Sequence, residues 1–211
     1  MKKAFVRIFL GMIVLVLATE APASARKERR QQITVRGNRK NCNDNLNAIY
    51  NALRNYADMH NGQLPERNNL GGLKEILQHG ASLDDLACSS YKGEKYKGDD
   101  KRKKKKEPFR EKNSSYIYFG GIELASARQS VPKIIIVCDK FYDTKNNHCN
   151  ILTADGKIEQ IKLEKNEKKI VSTVDLIDYL SSKYKYPQDV YRALRIRAAS
   201  IDSELSKAKK K

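Results

Sequence analysis

The sequence predicts an α+β fold: one long amphipathic helix packed on a small antiparallel sheet, followed by a C-terminal αα-hairpin. Three observations predict it. Residues 41–65 repeat apolar side chains every three or four positions, which indicates a helix with one buried face. Residues 115–163 hold short runs of β-branched and aromatic residues separated by turn residues. Residues 173–205 return to helical spacing, with a break at Tyr186-Pro187.

Residues 1–25 have the three parts of a signal peptide. Lys2, Lys3 and Arg7 form a basic start, residues 8–18 are apolar, and Ala23-Ser24-Ala25 is a small-residue cleavage site. The apolar run is much shorter than the roughly 20 residues needed to cross a bilayer. We therefore expect cleavage after Ala25 and a periplasmic or extracellular protein. Residues 26–40 are basic and without a regular period, and we interpret them as an arm.

The organising helix is predicted at about residues 43–60, and Asn61-Gly62 and Pro65 end it. A short second helix is predicted to end at His79-Gly80. Ser82 and Asp85 have the spacing of a capped turn just before Cys88. The apolar stripe of the long helix comprises Leu46, Ile49, Tyr50, Leu53, Tyr56 and Ala57.

Residues 91–113 form a predicted basic loop. The whole chain carries a formal net charge of +17, a balance that favours polyanions such as nucleic acid or acidic glycan. A solvated loop is the alternative interpretation, because no aromatic residue interrupts the basic run to stack on bases. The candidate polyanion-binding residues are Lys101, Arg102, Lys103, Lys104, Lys105 and Lys106.

The sheet is predicted from runs at 115–119 and 133–138 and from a hairpin around Asp155-Gly156, whose arms are 150–154 and 157–163. Imperfect alternation in the second arm predicts a bulge or a strand end near Gln160. The α+β domain so defined spans residues 41–163.

Residues 164–211 form the last predicted region. Residues 164–169 are interpreted as a charged linker, and Thr173 as the cap of the first helix of the hairpin. The hairpin is small, so it either docks on the sheet domain or binds a partner through its apolar stripe. The Lys-rich end is expected to fray.

Four cysteines in an exported chain predict two disulfides, with three possible connectivities. The absence of a C-x-x-C pair disfavours both a zinc site and a redox motif. We favour Cys42–Cys88, which ties the long helix to the segment returning to it, and Cys138–Cys149, which closes a short strand connection.

The order of several short motifs resembles a known family. Residues 42–65 and Cys88 are followed by S-Y-x-Y-x-G-G at 115–121, a hydrophobic strand at 134–139, and H-x-N-x-L-x-A-D-G over 148–156, which begins at His148. This order is similar to the extracytoplasmic part of pilin-like proteins of type II secretion, particularly the major-pseudopilin-like group that ends in H-x-D-G. The resemblance covers residues 41–163. The sequence lacks that family's prepilin leader and long apolar N-terminal helix.

The resemblance implies a non-enzymatic envelope protein whose partners are other envelope or secretion proteins, with residues 173–205 as a candidate contact surface. It also implies a cation-stabilised β-loop, for which Asp139, Asp143 and Asn147 are weak calcium candidates. No other cofactor is expected.

His148, Asp155 and Gly156 are motif residues of unknown role. His148 beside Cys149 could not act as a base on that thiol from a strand, because adjacent side chains point to opposite faces. Asp155 suits a tight turn. We therefore predict that the protein is not an enzyme, and keep a polyanion-binding module as the alternative function.

Overall fold

The computed structural model describes residues 42–88, 108–141, 147–165 and 168–209. These residues fold into helices and a four-stranded antiparallel sheet, which confirms the α+β class. The predicted signal peptide, the basic arm and residues 91–107 of the basic loop lie outside the described residues.

Helix α1 covers residues 42–59, one residue from the predicted bounds at each end. Its predicted stripe is buried except at Tyr56, which is half-buried, and Leu46, Ile49 and Leu53 are fully inaccessible to solvent. Burial of each such side chain contributes about 1.5–3 kcal/mol. The helix ends where Asn61 and Gly62 adopt positive φ angles of 53° and 82°, as residues after a helix end often do.

Two short helical segments follow. Helix α2 (Asn69–Glu75) continues as a 3₁₀ turn (Ile76–His79) and ends at Gly80, whose φ of 107° is left-handed. The capped turn before Cys88 is confirmed, because Asp85 accepts hydrogen bonds from Ser82 and its own N–H bonds the Ser82 hydroxyl.

The sheet has strands β1 (Tyr116–Tyr118), β2 (Ile135–Asp139), β3 (His148–Thr153) and β4 (Ile158–Lys162), in that order. Strand β2 is buried along almost its whole length, as its continuous apolar run predicts. The predicted bulge near Gln160 is wrong, because β3 and β4 pair in unbroken register. The irregularity lies instead between Ile135 and Val137 on β2.

Helix α3 (Leu124–Ser130) was not predicted. It lies between β1 and β2 in the sequence, and its buried residues are Leu124 and Ala127. Seven residues carry too few apolar positions for a helical period to stand out.

The prediction of a linker at residues 164–169 is wrong. Its backbone forms a two-stranded ribbon, β5 (Glu164–Lys165) with β6 (Lys168–Lys169). The composition of a run of charged residues is typical of a linker. Its backbone N–H and C=O groups can still form the hydrogen bonds of a two-stranded ribbon.

The C-terminal hairpin consists of helix α4 (Thr173–Tyr184) and helix α5 (Gln188–Lys209). Ser172 caps α4, one residue before the predicted Thr173, in a reciprocal capping box with Asp175. The hairpin docks on the sheet domain: Tyr186 donates its hydroxyl to the Lys133 carbonyl at 2.7 Å. Its apolar stripe is therefore buried in the shared core, which includes Leu176, Ile177, Leu180, Leu194, Ala198 and Ile201. Within the described ranges, we find no helix both long and apolar enough to traverse a bilayer.

Candidate functional site

The predicted site residues fall into two groups in the structure. Lys101, Arg102, Lys103, Lys104, Lys105, Lys106 and Asp143 lie outside the described residues. The cysteines, Asp139, His148 and the Asp155-Gly156 turn are placed within the sheet domain. A separate set of residues, at the surface of α5, was not predicted.

The first predicted cysteine pair is at disulfide distance. Cys42 and Cys88 are joined with a Cα–Cα separation of 5.4 Å, within the usual range for a disulfide. The pairing preferred for Cys138 and Cys149 needs correction, because both are buried thiols in this structure. Cys138 pairs across the strands with Ile151, so Cys149 lies diagonally from it, and the two thiols adjoin without being bonded.

Asp139, His148 and Cys149 do not assemble into a catalytic group. His148 is exposed while its neighbour Cys149 is fully buried, since they point to opposite faces of β3. Burial, with the adjoining Cys138 thiol, raises the pKa of the Cys149 thiol well above its ordinary value. A protonated thiol is a poor nucleophile.

The carboxyl group of Asp139 is turned inward. Its Oδ2 accepts hydrogen bonds from the backbone N–H of Asn150 at 3.0 Å and from the Asn150 side chain at 2.7 Å. Burial raises the pKa of Asp139 to about 6, against the opposing effect of these two bonds. Asp139 therefore faces amide donors rather than an open loop. Across the described ranges, no three His, Cys, Asp or Glu side chains converge as a metal site would require.

The Asp155-Gly156 turn, whose role the sequence did not indicate, packs against helix α1. Gly156 has a φ of 81°, and an added Cβ would lie 2.6 Å from the ring of Tyr50 on α1. The Tyr50 hydroxyl donates to the Ala154 carbonyl at 3.1 Å. The A-D-G segment therefore seats the hairpin against the organising helix, and only glycine fits at that contact.

An open groove of about 740 Å³ lies along α5, and we call it the α5 groove. The loop after Pro65, the start of α2 and a residue of the 3₁₀ turn at Glu111–Asn113 face the solvent side of α5 across it. Its lining combines both signs of charge with one large exposed apolar side chain, Ile196, which is 73% exposed. The lining residues are Glu66, Arg67, Asn68, Asn69, Gly71, Glu111, Ala193, Ile196, Arg197, Ser200 and Glu204.

Asn69 is the buried polar residue of the α5 groove. It is only 2% exposed and has a φ of 50°, in the left-handed region that Asn tolerates better than most residues. Its Nδ2 donates to Glu204 of α5 at 2.8 Å. Its Oδ1 is buried without a hydrogen-bond partner among the described residues.

Two charged residues of the groove, Arg197 and Glu111, are held in place by contacts with the rest of the fold. Arg197 donates to the Gly121 carbonyl at 3.1 Å and lies 3.8 Å from the exposed carboxylate of Glu66. Glu111 pairs at 2.7 Å with Lys140, which is almost completely buried at the end of β2. The same Glu111 accepts the Leu70 N–H at 3.0 Å. Buried pairing of this kind fixes geometry more than it adds stability.

The glycine pair after β1 makes this arrangement possible. A Cβ on Gly120 would lie 2.2 Å from the Glu66 carbonyl oxygen, and one on Gly121 would lie 2.4 Å from the Arg197 guanidinium. The sequence indicated only that Gly120-Gly121 ends a strand. The α5 groove was missed because its residues come from three distant segments, and only the exposed Ile196 on an otherwise polar helix face hints at it.

Comparison with known proteins identified no relative of this chain. No known protein-family profile matches the chain. No curated protein and no solved structure matches it significantly. The resemblance to pilin-like proteins stays a prediction.

Proposed function

We propose that this chain is a non-enzymatic interaction protein of the cell envelope, exported and built on a pilin-like α+β domain, and that a partner protein docks in the α5 groove. The observation that carries the proposal is the groove itself: an exposed Ile196 among charged residues of both signs, of which Arg197 and Glu111 are anchored by contacts with the fold. Protein interfaces combine an apolar centre with a polar rim. The opposite placement of His148 and the buried Cys149 further supports a binding rather than a catalytic role.

Export is part of the proposal. It rests on the signal-like residues 1–25, and the Cys42–Cys88 pair suits an oxidising compartment. We expect the protein recovered from the envelope fraction to begin at Arg26, as N-terminal sequencing will determine. An intact Met1 on protein recovered from the cytoplasm would contradict this part of the proposal.

The docking surface can be tested by photo-crosslinking in cells. A photo-reactive amino acid at position 196 is expected to trap an envelope protein of the secretion or pilus class. Val171 is the matched control, because it is also an exposed apolar residue, 58% exposed, and it does not line the groove. Equal adducts at both positions, or none at 196, would argue against the α5 groove.

A second candidate function, polyanion binding, is favoured by the net charge of +17. Such binding weakens steeply with salt because each phosphate contact releases counterions. A contribution of six basic residues, 101–106, predicts a loss of about 10³-fold in affinity for duplex DNA or heparin between 50 and 200 mM salt. Replacing all six by Gln should abolish most of that dependence, and salt-independent binding would refute it.

A further inference from the structure

Two of the chain's three histidines, His60 and His79, lie side by side although 19 positions separate them in the sequence. His60 follows the end of α1, and His79 ends the 3₁₀ turn after α2. Their ring centroids are 5.9 Å apart, with the rings inclined at 74°. A hydrogen bond from Asn55 to the His79 carbonyl at 2.9 Å ties the two segments together.

The ring of His60 is already oriented. It stacks on Tyr56 at a centroid distance of 3.8 Å with an interplanar angle of 4°. Its Nδ1 lies 2.8 Å from the Tyr56 carbonyl oxygen. A carbonyl can only accept, so Nδ1 is the protonated nitrogen in the neutral ring, and Nε2 carries the free lone pair. Metal-binding histidines are typically held by such a bond from the other nitrogen.

The His79 ring is held by aromatic contact rather than by a hydrogen bond. It makes a T-shaped contact with Tyr56 at a centroid distance of 5.1 Å. Tyr56 is in turn fixed by a hydrogen bond from its hydroxyl to Glu75, at 3.1 Å. In the described part of the chain, no hydrogen bond engages the His79 ring.

We propose that His60 and His79 form a surface site for a divalent transition metal that prefers imidazole, such as Zn²⁺ or Ni²⁺, with water at the remaining positions. Two imidazoles on one ion, each with a metal–nitrogen distance of about 2.0–2.1 Å, have ring centroids roughly 5 Å apart. The two rings therefore lie about 1 Å farther apart than in such a site, and side-chain rotation must also turn a nitrogen of each ring toward the shared ion. The site lies at the C-terminal end of α1, where the helix dipole favours positive charge.

The site is tested with Zn²⁺ and purified protein that carries no polyhistidine tag. Calorimetry is expected to give one ion per chain. His60→Phe and His79→Phe keep an aromatic ring in place but remove the nitrogens, and each should weaken binding at least tenfold. His148→Phe is the matched control, because it removes the remaining histidine on the distant β3, and it should bind like the unmodified protein.

The imidazole nitrogens give an independent readout by NMR. Zn²⁺ is expected to shift the Nε2 resonances of both His60 and His79 and to leave those of His148 unmoved. The proposal fails if the unmodified protein does not bind, if either Phe variant at 60 or 79 binds unchanged, or if only one of the two rings responds. Should a Phe variant lose its fold, the NMR result on the unmodified protein decides.

Discussion

The two predicted cysteine pairs differ in the structure: one is joined by a disulfide and the other is not. Cys42 and Cys88 are 46 positions apart in sequence, and the structure joins them where α1 begins and the segment before the basic loop ends. Cys138 and Cys149 are much closer in sequence, yet they remain thiols at the centre of the sheet.

The difference shows that geometry rather than sequence distance decides pairing. At the start of α1 the two cysteines lie within bonding distance, and their approach is reinforced by Asn45, which donates to the Ala87 carbonyl at 3.4 Å. In the sheet, strand register fixes Cys138 opposite Ile151 and leaves Cys149 diagonal to it. Shifting a strand by one residue would turn every buried side chain to the other face. The strand register therefore cannot change to bring the two cysteines opposite each other.

The largest expected effect comes from removing the joined pair. The double variant Cys42→Ser, Cys88→Ser should lower the free energy of unfolding by about 3–4 kcal/mol, because a cross-link over 46 residues restricts the unfolded chain. Denaturant titration measures this change. Reduction of the unmodified protein is the control and should cost a similar amount, whereas an unchanged midpoint would mean that this pair is not bonded.

A smaller effect is expected from Asp139, which lies beside the unjoined pair. Burial raises the pKa of this carboxyl to about 6, so its stabilising contribution is complete below about pH 4 and is lost as the pH rises through 6. The residue is partly accessible, so we expect the free energy of unfolding to fall by about 1–2 kcal/mol over that range through this group.

Asp139→Asn should flatten the pH dependence between pH 4 and 6. Asp155→Asn is the control: partial burial is outweighed by hydrogen bonds from Thr153 and Lys157 and by the charge of Lys133, and the pKa of Asp155 is lowered. Its contribution is therefore lost only as the pH falls below about 4. A slope that persists in Asp139→Asn would contradict the assignment.

The smallest effect is expected for the thiols themselves. Cys149→Ala removes one buried atom and should cost about 1 kcal/mol, far less than loss of the bonded pair. Alkylation of the denatured, unreduced protein should add two groups by mass spectrometry, and reduction beforehand should raise this to four. No addition without reduction would show that Cys138 and Cys149 are bonded after all, and would overturn the comparison.

Local patterns predicted much of this architecture. The stripe of α1 and the Asp-Gly hairpin were read from residues a few positions apart, and both are confirmed. Helix α3 and the ribbon at 164–169 were missed because short or charged segments carry little periodic signal. The candidate binding sites could not be predicted from local patterns either. The α5 groove is lined by three segments, and the two histidines come from the ends of two helical segments.

The sequence by itself determined the α+β class and the buried faces of α1 and β2, because apolar periodicity is a local property that solvent exclusion enforces wherever a core forms. Only the tertiary structure decided which cysteines meet, that the C-terminal hairpin buries its own stripe, and that Gly120, Gly121 and Gly156 admit neighbours that a Cβ would exclude. These outcomes depend on register and docking between segments far apart in the chain, and no local pattern encodes them.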